Sequence, residues 1–287
     1  MRVNGLDIAY DDEGSGPPVV LVHGHPFDRS LWRPQVERLS GVYRFIVPDL
    51  RGYGETKPVS GRAGAMPDTT PLGVFADDLV ALLDRLGLER VVLGGLSMGG
   101  QIVMEVHRAH RERVGALILA DTFPEAETPA GREARRAAAE RVLREGMGPY
   151  ADEVLDRMIT PRNVRELPEV AEHVLRMMRG TPPEGAAAAL RGRAERPDYL
   201  GSLARVAVPA LVVVGAEDEY TPVEVARRLH AVIPGSTLAV VDGAGHLPNL
   251  ERPEAFTGVV ERFLAEVFRE AGGATGSGPG MPDQGIR

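Results

Sequence analysis

The sequence predicts an α/β fold built on a mainly parallel sheet, and three observations carry that expectation. Short continuous apolar runs recur along the chain. Amphipathic stretches separate most of them. One long segment, from about Phe123 to Leu203, interrupts the alternation with no strand signal. Continuous apolar runs suit strands covered on both faces, and strand–helix alternation is the pattern of a parallel sheet. With 287 residues, 43% of them hydrophobic, the chain can build one such domain with an insertion, or two small domains.

The elements follow in order. Val3 leads into Asn4-Gly5, a favoured two-residue turn, and Leu6, Ile8 and Tyr10 alternate after it, which reads as a hairpin. A Gly/Pro break at Gly14 to Pro18 precedes the first buried-strand run, Val19 to Val22, which ends at His23-Gly24. Similar runs recur at Arg44 to Val47, Val91 to Leu93, Ala116 to Ala120, Ala210 to Val214 and Leu238 to Val241. Helices are expected over Leu72 to Leu86, with Val80, Leu83 and Leu86 on one side, and over Gln101 to His110, Val223 to Val232 and Glu251 to Phe268. The interrupting segment is rich in Ala, Arg, Glu and Met and is broken by Pro161, Pro168, Pro182-Pro183 and Pro197, so it is expected to be a helical insertion over the sheet. These boundaries give a core of residues 1–122 and 204–270, a helical cap at 123–203, and a Gly/Pro/Ser-rich tail at 271–287 that is expected to be disordered.

Composition narrows the function. A net charge of −8 works against a nucleic-acid or membrane-surface role. The absence of cysteine removes disulfides, thiolate metal sites and cysteine catalysis. The opening residues carry no apolar segment and no cleavage site, and no stretch is long and apolar enough to span a bilayer. The expectation is therefore a cytoplasmic protein without a signal peptide, acting on a small molecule as a monomer or homodimer.

The strongest chemical signal is Gly95-Leu96-Ser97-Met98-Gly99-Gly100, placed between the apolar run Val91-Val92-Leu93 and a helical segment. Strand, sharp turn and helix are the setting of a nucleophile elbow, which pushes a serine hydroxyl out above the sheet and aims a helix N-terminus at the site. Gly95 and Gly99 are needed there because side chains would collide with the neighbouring strand and helix. A serine hydroxyl needs a base. His246 follows the last strand run in Asp242-Gly243-Ala244-Gly245-His246, where a Gly-rich loop can bring an imidazole over the serine. His107, His110, His173 and His230 are expected at the surface or at caps, and His23 as a loop brace. The base needs an anion to hold its tautomer. Asp218 follows Val212-Val213-Val214-Gly215 at a strand's C-terminal end, where ligand sites of parallel sheets lie. Glu217 and Glu219 flank it, and Asp121, at the end of another strand, is its rival; Asp218 is favoured. The order Ser97, Asp218, His246 is that of α/β-hydrolases. Two backbone N–H groups should stabilise an oxyanion, those of Met98 and of His25 in the loop His23-Gly24-His25-Pro26-Phe27.

With these pieces in hand, the sequence resembles the α/β-hydrolase fold superfamily, in the branch of cofactor-free esterases, lactonases, epoxide hydrolases, C–C bond hydrolases and haloperoxidase-like enzymes. The matching segments are His23-Gly24-His25-Pro26, Asp49-Leu50-Arg51-Gly52-Tyr53-Gly54, Gly95 to Gly100, Gly215-Ala216-Glu217-Asp218 and Gly243-Ala244-Gly245-His246, within about residues 3 to 268. The resemblance implies an eight-stranded, mostly parallel sheet with the helical cap between strands six and seven. It also implies no cofactor or metal, and an oxyanion hole at the amides of His25 and Met98. Serine at the elbow argues against the aspartate-dependent epoxide and haloalkane chemistries. It fits a serine hydrolase that cleaves a small to medium, largely apolar ester or lactone through an acyl-enzyme. C–C bond hydrolysis, biosynthetic cyclisation or thioester release, and a non-catalytic ligand-binding role are the alternatives. Met147, Tyr150, Met158, Met177 and Met178 of the cap either adapt to a ligand or pack the cap onto the sheet; Phe27, Tyr150 and Met177 are the candidate substrate-binding residues.

Overall fold

The structure, a computed structural model, describes residues 1–59 and 67–273. In chain order the strands are β1 (Arg2–Val3), β2 (Leu6–Asp7), β3 (Tyr10–Glu13), β4 (Pro18–Val22), β5 (Arg44–Pro48), β6 (Lys57–Pro58), β7 (Val91–Leu96), β8 (Val114–Ala120), β9 (Ala210–Gly215) and β10 (Thr237–Val241). The helices are α1 (Arg33–Leu39), α2 (Leu72–Arg85), α3 (Met98–Ala109), α4 (Pro129–Glu145), α5 (Met147–Met158), α6 (Pro161–Glu166), α7 (Pro168–Gly180), α8 (Pro183–Ala194), α9 (Leu200–Leu203), α10 (Val223–Val232), α11 (Pro248–Glu251) and α12 (Pro253–Gly273).

The main sheet runs β10-β9-β8-β7-β4-β5-β3, parallel throughout except for β3, which pairs antiparallel with β5 at one edge. Among the described residues it has seven strands rather than eight. The opening hairpin pairs Val3 with Leu6 across Asn4-Gly5, both of positive φ, and its free edge β2 takes β6 as a third strand. The hairpin thus belongs to a separate three-stranded sheet. The continuous apolar runs have a direct explanation in the packing. Val20, Val22, Leu93, Leu117, Leu119, Val212 and Val214 enter one hydrophobic core, while Val19, Leu21, Val92, Ile118, Leu211 and Val213 enter a second on the other face. Successive residues point to opposite faces, and both faces are covered, so every position is apolar.

The 123–203 segment carries α4 to α9 between β8 and β9. Three of its prolines start helices rather than interrupt them: Pro161, Pro168 and Pro183 occupy first helical positions, where the missing N–H is not needed, while Pro197 lies in the loop between α8 and α9. Thr160 caps α6, accepting from the Asn163 amide at 3.1 Å. Met158, Met177 and Met178 belong to the second core and Met147 to a small cluster with Ala139, Val142 and Leu190, so the cap methionines mainly pack the insertion. The buried face of α2 is Leu72, Phe75, Ala76, Leu79, Leu82 and Leu83, which leaves the expected Val80 and Leu86 half-buried. Residues 271–273 continue α12 rather than a disordered tail; the rest of that expected tail, 274–287, lies outside the described residues. Among the described residues, no helix is long and apolar enough to cross a membrane.

Candidate active site

Because β4, β7, β8, β9 and β10 are parallel, their C-terminal ends share one edge of the sheet. Ser97 follows β7, Asp121 follows β8, Asp218 lies beyond β9 and His246 beyond β10. Ser97 holds φ 56° and ψ −116°, a conformation costly for any residue with a side chain. The surroundings enforce it. Its amide donates to Ala120 O (2.9 Å), and its carbonyl accepts from Thr122 Oγ1 (2.8 Å) and the Gln101 amide (3.2 Å). A Cβ on Gly95 would stand 2.4 Å from the Gly99 carbonyl carbon, and one on Gly99 2.2 Å from Val22 O. These two glycines let helix α3 start against the neighbouring strand, with Ser97 at its N-terminus.

His246 Nδ1 bonds Asp218 Oδ2 at 2.8 Å, both side chains buried. Asp218 Oδ1 accepts from the amides of Tyr220 (2.8 Å) and Thr221 (3.1 Å), and Oδ2 from Thr221 Oγ1. Burial alone would raise this carboxyl, but the charge of His246 and the hydrogen bonds from His246 and Thr221 outweigh it and hold it at about 2. Asp121, at φ 46°, lies against the pair: the two carboxylates and His246 each offer an atom within 4.8 Å of the others. Burial and then the charge of Asp218 push Asp121 well above the ordinary carboxylate range. Asp218 is therefore the ionised partner of His246. Asp121 accepts the Gly215 amide at 2.9 Å, in surroundings that disfavour its charged form.

His246 Nε2 has no partner among the described residues and faces a cavity of about 190 Å³. Ser97, His25, Phe123, Arg135, Tyr150, Met158, Arg193 and Tyr220 also line that cavity. The volume lies below the roughly 300–1,000 Å³ of pockets for drug-sized ligands. The amides of His25 and Met98, beside Ser97, make no hydrogen bond among the described residues. His25 Nδ1 bonds the Tyr53 hydroxyl at 2.8 Å, and burial followed by the charges of Arg193 and Arg135 keeps the imidazole well below its ordinary range, hence neutral.

The family profile described as the alpha/beta hydrolase fold matches residues 17–253. The chain belongs to the α/β-hydrolase fold family. Its relatives include 3-oxoadipate enol-lactonase 2 of Acinetobacter baylyi, 29% identical over 90% of this chain and 92% of that protein. A thermophilic esterase from Thermogutta terrifontis is 42% identical, with a TM-score of 0.87 over 91% of this chain and 94% of that one. The enol-lactonase from Burkholderia xenovorans LB400 is 30% identical, with a TM-score of 0.83 over 92% and 98%.

Within this α/β-hydrolase, Ser97, His246, His25 and Tyr150 meet at one cavity, with Asp218 behind His246. Phe27 and Met177 do not reach it. Both are buried in the second core, where the apolar face of α7 closes the cap onto the sheet. His23 braces two loops, accepting the Leu50 amide on Nε2 at 3.0 Å. His107 is buried rather than at the surface, because α3 is covered on nearly all sides. Three features escaped the sequence reading. Glu251 accepts from the amides of Gly245 (2.8 Å), Leu247 (3.3 Å) and Thr160 (3.0 Å) and from Asn163 Nδ2 (2.7 Å), tying the His246 loop to the cap. Tyr53 holds His25. Arg135 and Arg193 line the cavity; the buried run Ala186–Ala189 marks α8 as closely packed but does not single out Arg193 from Arg191.

Proposed function

We propose that this protein hydrolyses a small carboxylic ester or lactone through an acyl-enzyme on Ser97. The observation that carries the reading is the buried Asp218–His246 pair facing the cavity that Ser97 lines, in a chain whose relatives include an esterase and enol-lactonases. Ser97 Oγ attacks the acyl carbon and His246 Nε2 takes its proton, while Nδ1–H keeps donating to the ionised Asp218. The amides of His25 and Met98 receive the oxyanion. Collapse of the tetrahedral species breaks the acyl C–O bond, and the departing alkoxide takes the proton from His246. Water then attacks the acyl-enzyme with His246 as base, releasing the acid and restoring the Ser97 hydroxyl.

The test is hydrolysis of p-nitrophenyl esters of increasing acyl length by wild type and Ser97→Ala. Turnover by wild type is expected to favour short chains, as the cavity volume requires, and Ser97→Ala to lose on the order of 10⁴-fold or more in kcat. Near-normal turnover by folded Ser97→Ala would overturn the mechanism.

A further inference from the structure

We propose that the substrate carries, besides its ester or lactone carbonyl, a carboxylate that Arg193 binds with Arg135 at the wall of the Ser97 cavity. This deepens the hydrolase reading and rests on it for the location of the reacting carbonyl.

The side chain of Arg193 is the observation that demands a ligand. Arg193 is 7% exposed, yet its only side-chain hydrogen bond among the described residues runs from Nε to Gln101 Oε1 at 3.2 Å. Neither terminal nitrogen has a protein acceptor among the described residues. Neither is sealed from solvent, and the residue lines the cavity. A buried guanidinium ordinarily has a carboxylate or a full set of acceptors, because desolvating an unmatched charge is strongly unfavourable. Here the surroundings add to the cost. Arg135 and Arg196 lie close enough to oppose the Arg193 charge, after burial itself. The one carboxylate in the group, Glu127, is already shared between Arg135 and Arg196. Asp218 is committed to His246. Three cations therefore face one available anion, and arginine does not relieve the imbalance by losing its proton.

A purely structural role for Arg193 does not need this arrangement. Gln101 could be held by a neutral partner, and an apolar residue of α8 would pack against α3 without the cost. Nor does an apolar acyl group need two guanidinium groups in its cavity. A planar carboxylate meets both requirements: it matches the fork of Arg193 bidentately and supplies the missing charge. The hydroxyl of Tyr150, kept protonated by burial, adds a donor on the same wall. Such a substrate differs from the largely apolar ester or lactone expected from the sequence.

The experiment measures competitive inhibition of p-nitrophenyl acetate hydrolysis by glutarate and by glutaramide, its neutral isostere, at constant ionic strength. Wild type is expected to bind glutarate about tenfold or more tightly than glutaramide, and Arg193→Gln to raise the glutarate inhibition constant by on the order of 10²-fold. Equal inhibition by the two compounds in wild type overturns the proposal, as does an unchanged glutarate constant in folded Arg193→Gln. If that variant does not fold, Arg135→Gln is read in its place, and the wild-type comparison stands without either. Calorimetric titration of Ser97→Ala with glutarate separates this proposal from the reading beneath it. Binding without ester turnover by wild type refutes the hydrolase and keeps the anion site; turnover without preference for glutarate does the reverse.

Discussion

Glu251 is the residue whose loss is most instructive. Replacing it with glutamine preserves size and removes one acceptor oxygen. Oε1 now accepts from the amides of Gly245 and Leu247, and Oε2 from the Thr160 amide and Asn163 Nδ2. Whichever way the new amide turns, its NH₂ group faces two buried N–H donors. A buried donor left without its acceptor costs about 1–3 kcal/mol. Glu251→Gln should therefore lose about 3 kcal/mol, which at about 2–4 °C per kcal/mol lowers Tm by roughly 6–12 °C. Gly245 directly precedes His246, so the imidazole proposed as the base should lose its placement as well, and a displacement near 1 Å costs on the order of 10²-fold in kcat. Thermal unfolding followed by circular dichroism and ester kinetics on the same sample read both effects. A Tm within about 2 °C of wild type would show that the four hydrogen bonds do not carry this energy.

The two buried aspartates should behave oppositely. Asp218→Asn destroys the anion that orients His246 and should lower kcat by on the order of 10³–10⁴-fold, whereas Asp121→Asn keeps a neutral group that accepts the Gly215 amide and should retain most activity. Asp121 holds its proton more tightly folded than unfolded, so its contribution to stability is greatest below the unfolded value of about 3.9 and declines as pH rises toward its folded value. Asp121→Asn should flatten that decline in urea denaturation at pH 5 and pH 8, and a variant as pH-dependent as wild type would refute the assignment. Gly99→Ala places a Cβ 2.2 Å from Val22 O and 2.7 Å from His23 O. Both neighbours are backbone, so α3 must shift, and turnover should fall with Tm; an alanine variant with wild-type kinetics would contradict the packing of the elbow.

The residue pattern was enough to read the α/β architecture, and it singled out the segment without strand signal and the candidate residues at the strand ends. Their signals are local: apolar runs mark strands buried on two faces, and glycines mark turns where a Cβ does not fit. Ser97, Asp218 and His246 stood out as candidates because each follows such a run. The choice between Asp218 and Asp121 belonged to tertiary structure, because only the assembled site shows which carboxylate receives His246 Nδ1 and which has its charged form disfavoured by burial. Strand membership was also decided there. Gly94 and Gly95 continue β7 beyond Leu93 despite their poor intrinsic preference, since Leu21 and Ile118 leave Gly94 no room for a side chain. The cap's chemistry was the least legible part. Arg191 donates to Glu140 in an exposed pair, whereas Arg193, two residues later on the same helix, turns into the cavity without a carboxylate. Both read alike in sequence; the difference is about half a turn of helix, and only the packing of α8 against the core says which side of that turn is solvent.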